Sequence, residues 1–333
     1  MKKKILTIVI GTLIGIIFTA IWLQLVDLRT ISQMIKDLKL QYVIISILFY
    51  LSAYFIRSLR WNLLLKRVQP LSKMRSYLIM MAGNFTNYLI PLRVGELMRC
   101  YFIKKMHGTR MTKTLPSVFV DKLFDSIGIL FVLLLVPLLS VSLPATLNIL
   151  LILISLLLII GCIILISAIY AESKIVSLLK KLFFFIPTKY EVKLDETLSL
   201  FVEGLAVFKD HKQLLLPVIL FSIIAIFFDS FFFFALFLAF GISINYFYIL
   251  LGYTLIYLSY IIPHPPAQLG SNELLMFLIF AAGFGMQADK AGAIMLFSHI
   301  LTGLIIVTIG LISYSYSGVQ LLTIINKGEV LNE

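Results

Sequence analysis

The sequence predicts an all-α polytopic membrane protein of about six transmembrane helices plus two re-entrant helical hairpins in an inverted repeat. Three observations carry that expectation. Of the 333 residues, 61% are hydrophobic and the mean hydropathy is +1.05, more apolar surface than a soluble domain of this size can bury. Two apolar stretches are broken midway by proline, glycine and charge. The basic residues, which bring the formal net charge to +12, hug the apolar segments; that placement fits cytoplasmic loops beside anionic headgroups and argues against nucleic acid.

The elements follow in order. Lys2-Lys3-Lys4 precedes an apolar run from Ile5 to Val26. The run is too long for a signal-peptide core and no small-residue cleavage site follows, so it is expected to be a retained first span with a cytoplasmic N-terminus. Asp27 to Lys39 is expected to be a polar link. A second helix is expected from about Gln41 to Ser58, ending in Arg57-Ser58-Leu59-Arg60-Trp61, with Trp61 at the interface. Arg60, Lys66, Arg67, Lys73 and Arg75 then mark the cytoplasmic side.

The first broken stretch covers residues 77–103. Its arm before Pro91 is about 14 residues, too short for a hydrocarbon core that needs about 20. Pro91 and Gly95 break the helix, and Arg93, Glu96 and Arg99 follow at once. Charge beside broken helix at membrane depth is tolerated only against protein or a water-filled cavity, so a re-entrant hairpin is expected, with Gly95 turning the chain. Pro116 is expected to open the third helix, which runs to about Leu139. Its Asp121 and Asp125 share a face, beside Lys122, as either an interfacial ion cluster or part of a pathway.

A fourth helix, about Thr146 to Tyr170, is wholly apolar and expected to face lipid. Residues 172–212 hold two amphipathic stretches expected at the cytoplasmic interface. A fifth helix follows, about Leu214 to Phe240. Its Asp229 lies among phenylalanines and must face the bundle and pair. The second broken stretch, 248–284, repeats the form of the first: Pro266 and Gly270 stand four apart, as Pro91 and Gly95 do, and Glu273 follows as Glu96 does. Its first arm reads equally as a tilted full span, and both breaks as proline-rich loops between ordinary helices. Asp289-Lys290 is expected to link to a last helix, about Ala291 to Tyr314, carrying Ser298, His299 and Thr302 on one side. The whole chain, 1–333, is expected to form one transmembrane domain, with repeats at 41–140 and 214–318 and both termini cytoplasmic.

Several chemistries have no signature. Cys100 and Cys162 lie far apart in apolar surroundings, the four histidines show no ligand spacing, and no phosphate loop, nucleophile elbow or HExxH occurs. No cofactor, metal or enzymatic activity is therefore expected.

The chain resembles the transmembrane region of lysylphosphatidylglycerol synthetases and their flippase-like stand-alone relatives, over nearly its whole length. Arg57 to Trp61 looks like the family's Arg-x-x-Arg-Trp, and Asn87 to Arg99 like its Asn…Pro…Gly-Glu…Arg signature. Asp121 to Asp125 resembles a Glu-Arg-x-x-Asp element. Pro266 to Glu273 resembles Pro-Gly-Gly-x-Gly-x-x-Glu, with Ala267 and Gln268 where the family has glycines, a loss of free backbone geometry. The resemblance implies moving a phospholipid or lipid-linked headgroup between leaflets of the cell membrane. In the synthetases a soluble aminoacyl-transferase domain follows; none is seen within these residues, so that reaction is not expected here. The expected headgroup site is Asn84, Asn87, Arg93, Glu96, Arg99 and Glu273, with Glu273 opposite the arginines. Arg57, Arg60, Asp121, Asp125, Asp229, Pro91, Gly95, Pro266 and Gly270 are expected to support it. Membrane lipids are the expected partners. The alternative function is a non-transporting partner or anchor of a lipid-modifying or glycosyltransferase system.

Overall fold

The computed structural model describes residues 2–90, 94–136, 145–170, 211–260 and 264–317, with isolated positions between 171 and 210. The described residues form eleven α-helices and no strand. Among the described residues, three helices are long and apolar enough to cross a membrane, or four if a bent N-terminal pair counts as one span.

Helix α1 (Lys2–Leu23) turns by 86° into α2 (Leu28–Lys36). Asp27 caps α2 by accepting from the Arg29 N–H at 3.0 Å and the Thr30 hydroxyl at 2.8 Å. The polar link expected here is thus a helix. Leu28, Ile31, Met34 and Ile35 recur at helical spacing, and Ile31 is buried with Trp22 and Ala293.

Helix α3 (Leu40–Leu65) is the central column and packs along α8 (Leu215–Ala239). It runs past Ser58, the end expected from the sequence, and Arg57, Arg60 and Trp61 are buried within the bundle. Trp61 is fully buried and donates its N–H to Ser117 at 3.3 Å. Burial is possible because the helix Met111–Leu135 and α8 supply carboxylates for both arginines.

Helices α4 (Lys73–Leu89) and α5 (Gly95–His107) pack against each other as a helical hairpin. At 1.5 Å per residue the arms reach only about 25 and 20 Å. Helix α5 stops at Gly108, left-handed at φ 71°. Helix α6 (Met111–Leu135) begins before Pro116, which lies inside it rather than opening it. Helix α7 (Ala145–Tyr170) packs on α6 and leaves Ile152, Leu156, Leu157 and Ile163 bare on its outer side. The amphipathic stretches of 172–212 fall largely outside the described residues. Within them, Leu205 and Phe208 are buried against Val120, Phe124 and Val218.

Helix α9 (Tyr246–Ser259) leads to a second break, and α10 (Ser271–Met276) leads out of it into a π-helical turn, Phe277–Gly283. The two arms meet closely where the Phe280 ring covers Gly252; any Cβ there would overlap the ring. Helix α11 (Ala288–Ser317) takes Asp289 and Lys290 into its first turn, not into a link. The Asp289 carboxylate, at the positive end of α11, accepts from the Asp27 N–H at 2.7 Å.

Lipid offers no hydrophobic drive for helix association, so close approach must hold such a bundle. A Cβ at Gly128 of α6 would stand 2.7 Å from the Ser222 carbonyl of α8. Between α3, α8, α10 and α11 the core is filled by Tyr50, Phe232, Phe233, Phe237, Met276 and Phe280.

Candidate functional site

A cavity of ≈ 240 Å³ lies between the two hairpins, α3 and α6. Helix α3 contributes Tyr54, Arg57 and Arg60; α6 contributes Asp121, Lys122 and Asp125. The first hairpin brings Asn84, Asn87, Glu96 and Arg99, and the second brings Tyr253, Tyr257, Tyr260, His264, Pro265 and Gln268.

The three-residue spacing of Arg57 and Arg60 puts both on one face of α3. Arg60, 1% exposed, is fully engaged. It donates from Nε to Asp121 at 2.8 Å, and from its two terminal nitrogens to Ser222 at 2.9 Å, the Asp121 carbonyl at 3.0 Å and Asp125 at 2.6 Å. Arg57 pairs with Asp229 of α8 and lies between the Tyr54 and Tyr257 rings, 5.5 and 5.3 Å from their centroids. Asp229 therefore faces the bundle and pairs, as a carboxylate in a phenylalanine-rich helix must.

Arg99 donates to the second oxygen of Asp121 at 3.1 Å and lies over the Trp61 ring at 5.5 Å. Lys122 is the least buried of these cations, and reaches Asp125 at 3.5 Å and Glu96 at 3.6 Å. Four cations (Arg57, Arg60, Arg99, Lys122) thus meet four carboxylates (Glu96, Asp121, Asp125, Asp229) among the described residues. Uncompensated, each buried charge costs several kcal/mol. The network keeps a polar chamber inside an apolar bundle. Asp121 and Asp125 are its hub.

Asn87 closes the turn of the first hairpin. Its amide oxygen accepts from the Gly95 N–H at 2.6 Å, and its nitrogen donates to Glu96 at 3.1 Å. That oxygen serves the N-terminus of α5, which lacks a side-chain cap of its own. Gly95 does not have the positive φ of a turning glycine. It is needed for contact, since a Cβ there would overlap the Gly83 carbonyl of α4. Pro91 and Arg93 lie outside the described residues.

The second break is built differently. Gly270 has φ 72°, and a Cβ on it would stand 2.5 Å from the Thr19 backbone nitrogen of α1. Ala267 and Gln268 also have positive φ, 50° and 58°, although neither is glycine. Side chains hold both: His299 Nε2 lies 2.6 Å from the Ala267 carbonyl, Ser271 donates its hydroxyl to the Gln268 carbonyl at 2.9 Å, and Asn272 donates to the Gln268 side chain at 2.8 Å. Glu273 does not face Arg99 across the cavity. It is 5% exposed and bound to His299 of α11, so the two hairpins are not joined by the expected opposition. Pro266 faces α1, where a Cβ at Gly11 would meet its ring at 3.4 Å.

Sequence reasoning passed over the tyrosine wall and Ser222, and it treated Lys122 as incidental. The tyrosines had a signal: Tyr253, Tyr257 and Tyr260 stand at i, i+4 and i+7, one stripe of the second hairpin's first arm.

The model of one protein family, described as the lysylphosphatidylglycerol synthase TM region, matches residues 5–310. No curated protein and no solved structure matches the chain.

Proposed function

The chain belongs to the family of the lysylphosphatidylglycerol synthase TM region, and from that premise we propose that this multi-pass membrane protein translocates a lipid headgroup between leaflets through the charged cavity. The observation that carries the proposal is a chamber of ≈ 240 Å³ lined by paired charges, walled by two broken-helix hairpins inside an apolar bundle. Discontinuous helices beside a polar chamber are the usual architecture of a midplane transport site. Acyl chains stay in the bilayer while only the headgroup enters.

The chemistry follows from the pairs. A headgroup phosphate exchanges with a carboxylate for an arginine fork. The displaced carboxylate then accepts from the headgroup's hydroxyls or ammonium. Glu96 and Lys122 are the most exposed of the paired groups, so their pair is the one a ligand parts first. The Tyr54 and Tyr257 faces hold Arg57 in place meanwhile.

In the proposed arrangement the chain lies in the cell membrane with six full spans, two oppositely opening hairpins related as an inverted repeat, and both termini cytoplasmic. Its activity is translocation, not group transfer. The test is flipping of a fluorescent phospholipid in vesicles that contain only this protein. Bleaching of inner-leaflet label by an outside reductant, faster than in empty vesicles, is the expected result. No acceleration with any of an anionic, a zwitterionic and a cationic labelled lipid would assign the chain instead to anchoring a lipid-modifying partner.

A further inference from the structure

His299 of α11 is 8% exposed, and both of its ring nitrogens face oxygen. Nε2 lies 2.6 Å from the Ala267 carbonyl, and Nδ1 lies 2.5 Å from Glu273 Oε1. A carbonyl only accepts, so Nε2 carries hydrogen. The contact at Nδ1 needs a second hydrogen, held by the imidazole or by the carboxyl. Either way the pair holds one proton more than a neutral histidine beside a carboxylate, and its net charge is zero.

Removing that proton sets two lone pairs against each other at Nδ1 and leaves a buried carboxylate without compensation. Among the described residues its other oxygen, Glu273 Oε2, has no hydrogen-bond partner. Other groups around the pair give no relief. From α4 the Tyr88 ring stands T-shaped to His299, with centroids 6.4 Å apart. Before the break, Tyr260 donates its hydroxyl to Asn272, and its ring lies against His264. Among the described residues no ion pair other than their own reaches Glu273 or His299. The deprotonated contact is therefore expected to open.

What it ties down is the second break. Ala267 is in a left-handed conformation that favours glycine, and the next residue, Gln268, lines the cavity. The His299 clamp holds the backbone at Ala267 and the first turn of α10 at Glu273, so its release frees a wall of the chamber.

We propose that the Glu273–His299 pair is a proton-binding site that couples proton uptake and release to movement of the second hairpin during headgroup translocation. It rests on the translocator reading above for its consequence, and on hydrogen-bond geometry alone for the proton.

Two measurements test it separately. The chain has four histidines, so nitrogen spectra of histidine-labelled protein, with His299→Gln as the assignment control, resolve this ring. Both His299 nitrogens are expected to report the shared proton near neutrality, and the signal is expected to change together with labelling of a cysteine introduced at Gln268. A ring with one nitrogen that neither carries a proton nor accepts one from the carboxyl at neutral pH, or a titration with no change in that labelling, overturns the proposal. In vesicles, flipping of the labelled phospholipid is expected to differ several-fold between acid-inside and acid-outside gradients, and Glu273→Gln is expected to lose that difference. Flipping indifferent to the gradient in the unaltered protein also overturns it. No flipping under any gradient sinks the translocator reading, and the coupling with it, while the spectra still decide whether the proton is held.

Discussion

Asp121 accepts from both Arg60 and Arg99, each almost fully buried. Among the described residues, removing its charge leaves the buried Arg99 guanidinium without a paired carboxylate and Arg60 with Asp125 alone. Breaking a buried pair in this way costs about 3–5 kcal/mol. Asp121→Asn is accordingly expected to lower thermal stability sharply in detergent, together with activity. Glu96 is different. Its partner Lys122 keeps 35% of its side chain exposed, so Glu96→Gln should cost about 1 kcal/mol or less. The same change removes the carboxylate most available to a ligand. Melting close to the unaltered protein with loss of lipid flipping is the expected outcome. Melting and flipping lost in step for Glu96→Gln would reduce the cavity charges to structural pins.

Each hairpin depends on a different use of its glycine. In the first, Gly95 is a point of contact with α4. Gly95→Ala must part the arms, an overpacking cost of about 1–3 kcal/mol, and should also disturb the Asn87 contact that closes the turn. A crosslink yield between cysteines placed on α4 and α5 that falls in Gly95→Ala would report the parting. In the second, the left-handed residues separate two effects. Gly270→Ala meets both a positive φ and the α1 backbone, so a loss of more than about 1 kcal/mol is expected. Ala267→Gly relieves about 1 kcal/mol of strain but adds a similar freedom to the unfolded chain, so near-neutral stability is expected. Thermal melts of the two variants side by side check the contrast. Equal destabilisation would mean that α1 contact, not backbone conformation, governs the break.

Over the whole molecule, the two hairpins wall one cavity from two sides. If they are inverted copies, their tips open to opposite faces of the membrane. Single cysteines beside Pro91 and beside Pro266, in a background where Cys100 and Cys162 are replaced, should be labelled from opposite sides. Cysteines at both termini should be labelled only from the cytoplasm. Labelling of both tips from one side would remove the inverted repeat and leave two hairpins of common orientation.

Composition and periodicity by themselves determined the class. A chain this apolar has to be helical in lipid, because lipid satisfies no backbone hydrogen bond. Proline and glycine located the two breaks, and Asp229 was legible as a buried, paired carboxylate because phenylalanines flank it in a long apolar run. Helix ends were less legible. The run through Arg57 and Arg60 looks like a helix leaving the membrane when the carboxylates that neutralise it lie 61 or more residues away in sequence. The polar stretch before α3 hid an amphipathic helix whose apolar side is covered by α1 and α11. Pairing was decided by the tertiary structure alone. Glu96 and Glu273 hold matching places in two matching motifs, yet one faces Lys122 in the cavity and the other is locked to His299. Sequence spacing specifies which face of its own helix a charge occupies. Which opposite charge it meets depends on how the helices pack, and in a low-dielectric interior that meeting sets the energy.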